Sequence, residues 1–137
     1  MTIVEIQNKI VEEFSPFTES IDKYKHLIKL AKSLPPLDQQ FKTSENTIKG
    51  CQSTVWLAVK INNDRMNLQG DTDVMITKGI LSLLLRVYNN QKLSDVAETE
   101  PIFLEKIGLK QSLSPQRANG VKAIVEHIRK TARENLL

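Results

Sequence analysis

Few side chains in this chain can do covalent chemistry. Among 137 residues there is one cysteine, Cys51, and two histidines, His26 and His127. A structural zinc site or an iron–sulfur scaffold needs several thiolate or imidazole ligands, so neither fits, and the residue counts point to no metal on this chain. No glycine-rich phosphate loop precedes a helical pattern, and no GxSxG elbow is present. The carboxylate pairs read simply, Glu12-Glu13 as a solvated helix face and Asp71/Asp73 as a helix N-terminus. Both histidines fall on predicted helices as surface or boundary residues. A Cys–His dyad stays open, because such partners meet in space and not in sequence.

That leaves Cys51 as the candidate nucleophile. It stands in Ile48-Lys49-Gly50-Cys51-Gln52-Ser53-Thr54-Val55-Trp56-Leu57, which also holds the only tryptophan. A solitary cysteine is commonly a small buried hydrophobe. Three local features argue otherwise. Cys51 lies between polar Ser44–Lys49 and Gln52-Ser53, in a connection and not in an apolar stripe. Gly50 removes steric cover and permits backbone angles that turn the thiol outward. Lys49 can stabilise a thiolate if its side chain bends round, against an ordinary pKa of ~8.5 that leaves a few per cent ionised. On these residues alone, nucleophile and packing residue both remain open.

Composition sets the frame. With 40% apolar and 26% charged residues, the chain has the make-up of a soluble globular protein of one domain, 1–137. A lone cysteine forms no internal disulfide, so nothing points to an oxidising compartment, and a cytoplasmic protein is expected. The net charge of +3 comes from interspersed residues, and aromatics make up 5%, too few for base-stacking platforms. No nucleic-acid partner is therefore expected. The N-terminus lacks a signal-peptide pattern, and no window approaches ~18 consecutive apolar residues.

The elements that must position Cys51 follow from periodicity. Thr2 with Glu5 fits a capping box, and Ile3, Ile6, Ile10 and Phe14 continue a helix that stops before Ser15-Pro16. A second helix runs from about Ser20 to Pro35-Pro36, with Ile21, Tyr24, Leu27, Ile28, Ala31 and Leu34 on its apolar face. Residues 37–47 read as a surface loop. Val55, Leu57, Val59 and Ile61 alternate as a strand, Asn62-Asn63-Asp64-Arg65 turns, and Met66 and Leu68 alternate up to Gly70. A short strand around Thr47–Lys49 pairing with the first would put Gly50–Ser53 at a tight connection.

Asp71, Thr72 or Asp73 is expected to cap the next helix. That helix, Val74–Tyr88, is apolar on more than one face and hence central. Gly79 within it costs about 1 kcal/mol relative to alanine, tolerable if another element packs closely there. Asn89–Lys92 reads as a loop. Short helices follow around Ser94–Glu98 and Pro101–Ile107, with Gly108 as terminator. Ser114-Pro115 opens a last helix with Val121, Ile124, Val125 and Ile128 inward. Asn119-Gly120 weakens that helix for a reason propensity does not supply. The order, helices then a small antiparallel sheet then helices, is α+β.

Ile48-Lys49-Gly50-Cys51-Gln52-Ser53 with Val55-Trp56 resembles the signature of the SufE family, sulfur acceptors for the cysteine desulfurase SufS. Leu34-Pro35, Leu68-Gln69-Gly70-Asp71 with Asp73, Lys78-Gly79, and Leu113-Ser114-Pro115 with Arg117 and Gly120 resemble the family at comparable spacing. The resemblance implies a fold shared with IscU-type scaffolds, a small antiparallel sheet with helices packed on it. It implies that Cys51, as thiolate, takes sulfane sulfur from a persulfide on the desulfurase and passes it to an iron–sulfur scaffold of SufBCD type. Pyridoxal phosphate would belong to the desulfurase, and no cofactor to this chain. Gly50, Gln52 and Ser53 would shape the thiol loop, and Asp73 and Arg117 would lie near it or touch the partner. A homodimer is implied as well. The sequence does not separate the Suf pathway from the Csd system, whose close relative CsdE pairs with another desulfurase. A non-catalytic adaptor, with Cys51 structural, is the alternative.

Overall fold

The computed structural model describes residues 1–136 of the chain, without the side chains of residues 110 and 111, so the expected boundary at residue 137 lies outside it. The first helix, α1 (Ile3–Phe14), begins with the expected capping box. Thr2 Oγ1 accepts from the Glu5 amide and Glu5 Oε1 from the Thr2 amide, both at 3.1 Å. Two amides that helix geometry leaves unpaired are thereby satisfied. The spacing of Ile3, Gln7, Ile10 and Phe14 then buries one side.

The second helix, α2 (Ser20–Ser33), buries Leu27 and Ala31. Ile21, assigned above to the apolar face, is 56% exposed. At about 100° per residue it lies well off the Leu27–Ala31 line, so the helix cannot bury both. Residues 37–47 are more ordered than a plain loop. They hold a 3₁₀ turn at Gln39–Phe41, with the Asp38 side chain accepting from the Gln40 amide, and Leu37 is buried.

The hairpin pairs β1 (Val55–Asn62) with β2 (Arg65–Thr72), in register from Val55 opposite Thr72 to Asn62 opposite Arg65. Asn63 takes φ +57°, a left-handed angle that asparagine tolerates better than most residues. The second strand runs past Gly70 through Asp71 and Thr72. Those two residues therefore do not cap the following helix. Its N-cap is Val74, with no side-chain cap bond, and Asp73 precedes it exposed. Asn89–Lys92 is not wholly loop either. Gln91–Lys92 forms β3, which pairs with Arg65–Met66 and gives an antiparallel sheet of order β1-β2-β3.

The central helix, α3 (Met75–Tyr88), buries Gly79, Ile80, Leu81, Leu83, Leu84, Leu85, Val87 and Tyr88. It lies against the sheet on one side and α2 on another, as its nearly all-round apolar pattern requires. Gly79 is where α2 comes closest: a Cβ there would stand 2.3 Å from the Leu27 carbonyl oxygen. The helices α4 (Leu93–Glu98), α5 (Phe103–Lys106) and α6 (Leu109–Ser112) follow, with Gly108 at φ +76° between the last two. The last helix, α7 (Pro115–Glu134), starts as expected, Ser114 Oγ accepting from the Arg117 amide. It buries Gly120, Val121, Ile124, Ile128 and Ala132. No helix among the described residues is long and apolar enough to cross a membrane.

Candidate thiol site

Cys51 sits in a loop that joins two chain segments already brought together by β1. The expected strand at Thr47–Lys49 is reduced to one antiparallel bridge, Thr47 opposite Trp56. Around it the Ile48 amide donates to the Val55 carbonyl at 2.9 Å and the Leu57 amide to the Asn46 carbonyl at 2.8 Å. Residues 49–54 therefore form a short connection whose two ends are tied side by side. Gly50 takes φ +92°, a left-handed angle that favours glycine. A side chain there would also meet Ala123 Cβ at 3.3 Å.

The loop rests on the first half of α7. Cys51 Sγ donates to the Gly120 carbonyl oxygen at 3.3 Å, and a Cβ on Gly120 would lie 3.7 Å from the sulfur. Gly120 and Ala123 are three apart and so share a helix face, and both are small where the loop approaches. The loop's approach does not by itself demand this glycine, since a methyl there would meet the sulfur at an ordinary contact distance. Arg117 is three residues before Gly120, placing it on the same side of the helix end, exposed.

The sulfur is half-buried. Burial pushes the thiol pKa up from the ordinary cysteine value, and burial is the only cause of the shift. Lys49, considered above as a thiolate partner, is exposed and does not contribute. At neutral pH the free protein thus holds Cys51 as a thiol, its proton directed at a backbone carbonyl. Neither histidine serves as its base among the described hydrogen bonds. His26 Nε2 pairs with Glu13 Oε2 at 2.6 Å and packs edge-on to Phe14. Glu13 also receives Arg86 at 3.2 Å, so Glu12-Glu13 is only in part a solvated face. His127 lies on α7, its pKa lowered by burial and then by Lys130.

The other candidate residues divide. Gly50, Gln52 and Ser53 flank the sulfur, with Gln52 exposed and Ser53 half-buried. Asp73 and Arg117 are exposed. The cluster that residue types did not single out lies at Asp71. This side chain, 8% exposed, accepts from Lys78 Nζ at 3.2 Å and lies 3.5 Å from Lys42 Nζ. It also accepts from the amides of Thr72 at 2.8 Å and Leu37 at 3.4 Å. Burial alone would raise its pKa, but the Lys78 bond and the two amides more than offset that and hold the carboxyl low. The Lys42 ammonium stands 4.9 Å above the Trp56 ring, a cation–π distance. Thr72 Oγ1 donates to the Thr54 carbonyl at 2.8 Å. No group of three or more histidine, cysteine or carboxylate residues able to hold a metal occurs among the described residues.

Comparison with known proteins agrees with this geometry. Residues 8–132 match the family model described as SufE, an Fe-S metabolism associated domain. An uncharacterised SufE-like protein of Rhizobium etli is 34% identical over 131 residues, covering 92% of this chain and 88% of the relative. SufE-like protein 1 of Arabidopsis thaliana, chloroplastic/mitochondrial, is 36% identical over 125 residues, covering 90% of this chain but 34% of that longer protein. The solution structure of a hypothetical protein from Thermus thermophilus shares the fold, with TM-score 0.76 and 18% identity over 94% of both chains. With the α+β fold and the thiol loop in place, the chain belongs to the SufE family, and its role lies in iron–sulfur metabolism.

Proposed function

We propose that this protein is a sulfur acceptor and carrier, and that Cys51 is the residue that receives the sulfur. A cysteine desulfurase of the SufS type would present a persulfide on its own cysteine. The Cys51 thiolate attacks the outer sulfur; a new S–S bond forms on Cys51 while the donor's S–S bond breaks, and the donor leaves as thiolate. The Cys51 proton goes to solvent or to a base of the docked partner, and no oxidant is consumed. The persulfide on Cys51 is then attacked in the same way by a thiol of an iron–sulfur scaffold. No metal or cofactor is needed on this chain, and pyridoxal phosphate stays with the desulfurase. We propose further that Gly50, Gln52 and Ser53 shape the loop, that Asp73 and Arg117 contact the partner, and that the protein works in the cytoplasm as a homodimer.

The observation that carries this reading is the placement of the chain's one thiol. It sits on a short loop, half-buried against Gly120, in a family tied to iron–sulfur metabolism. Partial cover shields a persulfide from reductants while raising the pKa of the resting thiol, so the thiol is held back until a partner docks. Incubation with a desulfurase, cysteine and pyridoxal phosphate should add about 32 Da to Cys51, reversible by a reducing thiol and absent from Cys51→Ser. Stimulation of the desulfurase by Cys51→Ser equal to wild type would overturn the carrier role in favour of an adaptor.

A further inference from the structure

We infer that Asp71 and Thr72, at the end of β2, are positioning residues that hold the segment leading into the Cys51 loop and the residue leading out of it, and so set the environment of its sulfur. This rests on the carrier reading only for its purpose; the clamp itself is a property of the free chain. The segment 37–47 leads into the loop. The Asp71 carboxylate holds it at two points, the Leu37 amide at 3.4 Å and the Lys42 ammonium at 3.5 Å, while Lys78 of α3 anchors the carboxylate from below at 3.2 Å. Lys42 in turn covers Trp56, and four residues on, Asn46 is bonded to Leu57. The residue leading out is Thr54, whose carbonyl accepts the Thr72 hydroxyl at 2.8 Å. Val55 lies opposite Thr72 in the sheet, so this bond continues the ladder by one residue into the loop.

The two flanks of the loop thus meet one dipeptide, and the Thr72 amide bonded to Asp71 Oδ1 fixes the carboxylate against the backbone. By contrast, the tip is held by little: one S–H···O bond to Gly120 and the approach of Gly50 to Ala123. Sulfur is a weak donor, so the tip bond alone cannot set the loop's conformation. Among the described residues Asp71 is also one of the few buried charged or polar side chains, and the only carboxylate of that set. Burying it with two lysines is not needed to complete the apolar core. Two of its contacts run instead to the segment 37–47, which leads into the Cys51 loop.

The test is alkylation of Cys51 by iodoacetamide in the free protein, followed from about pH 7 to about pH 10, where the rate reports the thiolate fraction. Thr72→Val, which removes only the hydroxyl, and Asp71→Asn are each expected to lower the midpoint of the profile toward that of an ordinary thiol. Both should raise the rate at neutral pH about threefold or more. Thr72→Ser keeps the hydroxyl and should keep the wild-type profile. Ile10→Val in α1, a core substitution remote from the loop, serves as the comparison for general destabilisation and should leave the profile in place. Wild-type profiles in both Thr72→Val and Asp71→Asn would overturn the inference, as would a shift in Ile10→Val equal to theirs. Because no desulfurase is present, this outcome is independent of sulfur transfer. A wild-type protein that accepts no sulfur would sink the carrier reading and leave the clamp standing.

Discussion

Gly79→Ala gives the sharpest test of the packing. In an isolated helix the substitution would stabilise, because alanine exceeds glycine in helix propensity by about 1 kcal/mol. Here the added Cβ would stand 2.3 Å from the Leu27 carbonyl oxygen, 2.8 Å from its carbon and 2.9 Å from Leu27 Cβ. Two of those three atoms are backbone, so no rotamer change relieves the clash, and α2 must draw back from α3 by the better part of an ångström. The same movement loosens the packing of Leu27, which is fully buried. Overpacking of a dense core costs about 1–3 kcal/mol, and a rigid obstacle places this site at the upper end. Net of propensity, a loss of about 2 kcal/mol is expected, roughly 7 °C in Tm for a chain of this length. Gly120→Ala is the matched contrast. It too is a helical glycine, but its new methyl would meet only Cys51 Sγ at 3.7 Å, an ordinary contact. It should therefore gain up to about 1 kcal/mol. Thermal unfolding of the two variants by circular dichroism decides the matter. Gly79→Ala melting at or above wild type would refute the α2–α3 crossing, and Gly120→Ala falling as far as Gly79→Ala would refute the ordinary contact between α7 and the thiol loop.

Three further outcomes are expected. The depressed carboxyl of Asp71 binds its proton less readily in the folded than in the unfolded chain, so its stabilisation is present above the unfolded pKa near 3.9 and fades as pH falls through the lower native value. Asp71→Asn should then be less stable than wild type by about 1–2 kcal/mol at neutral pH, the gap closing on acidification below about pH 4; a gap constant with pH in denaturant titrations would contradict this. The Cys51 thiol, raised by burial, should react with iodoacetamide along a profile displaced to higher pH than a cysteine peptide, and a displacement to lower pH would mean that a cation reaches the sulfur. Ser114→Ala should lower stability by about 1 kcal/mol through loss of the cap on the Arg117 amide, read as a drop in Tm with the thiol profile unchanged.

Local rules carried well wherever the physics was local. The capping box at Thr2 and Glu5, the Ser114-Pro115 start of α7 and the turn around Asn63 depend on residues within a few positions of one another, and all three appear in the structure. The α+β order and the buried character of α3 followed from hydrophobic period alone. The cysteine motif, through its resemblance to a family, pointed to the thiol loop before any fold was known. Single-residue caps between elements were less legible. Asp71 looked like a helix cap because an acidic residue preceding an apolar helix is usually that, yet strand pairing carried β2 two residues further and turned the carboxylate toward two lysines.

What the sequence by itself determined is which atom is available for chemistry: with one thiol, two scattered histidines and no ligand set, Cys51 was the candidate left by elimination and by family likeness. What only tertiary structure decided is the state in which that atom is kept. Residues far apart in the chain supply its surroundings: the Gly120 carbonyl accepts from the thiol, Ala123 stands against Gly50, and the Thr72 hydroxyl holds the Thr54 carbonyl beside the loop. Lys49, the cation nearest in sequence, does not contribute. The physical reason is that a pKa and an exposure depend on what surrounds an atom within a few ångströms, and in a folded chain those neighbours are chosen by packing, not by sequence distance.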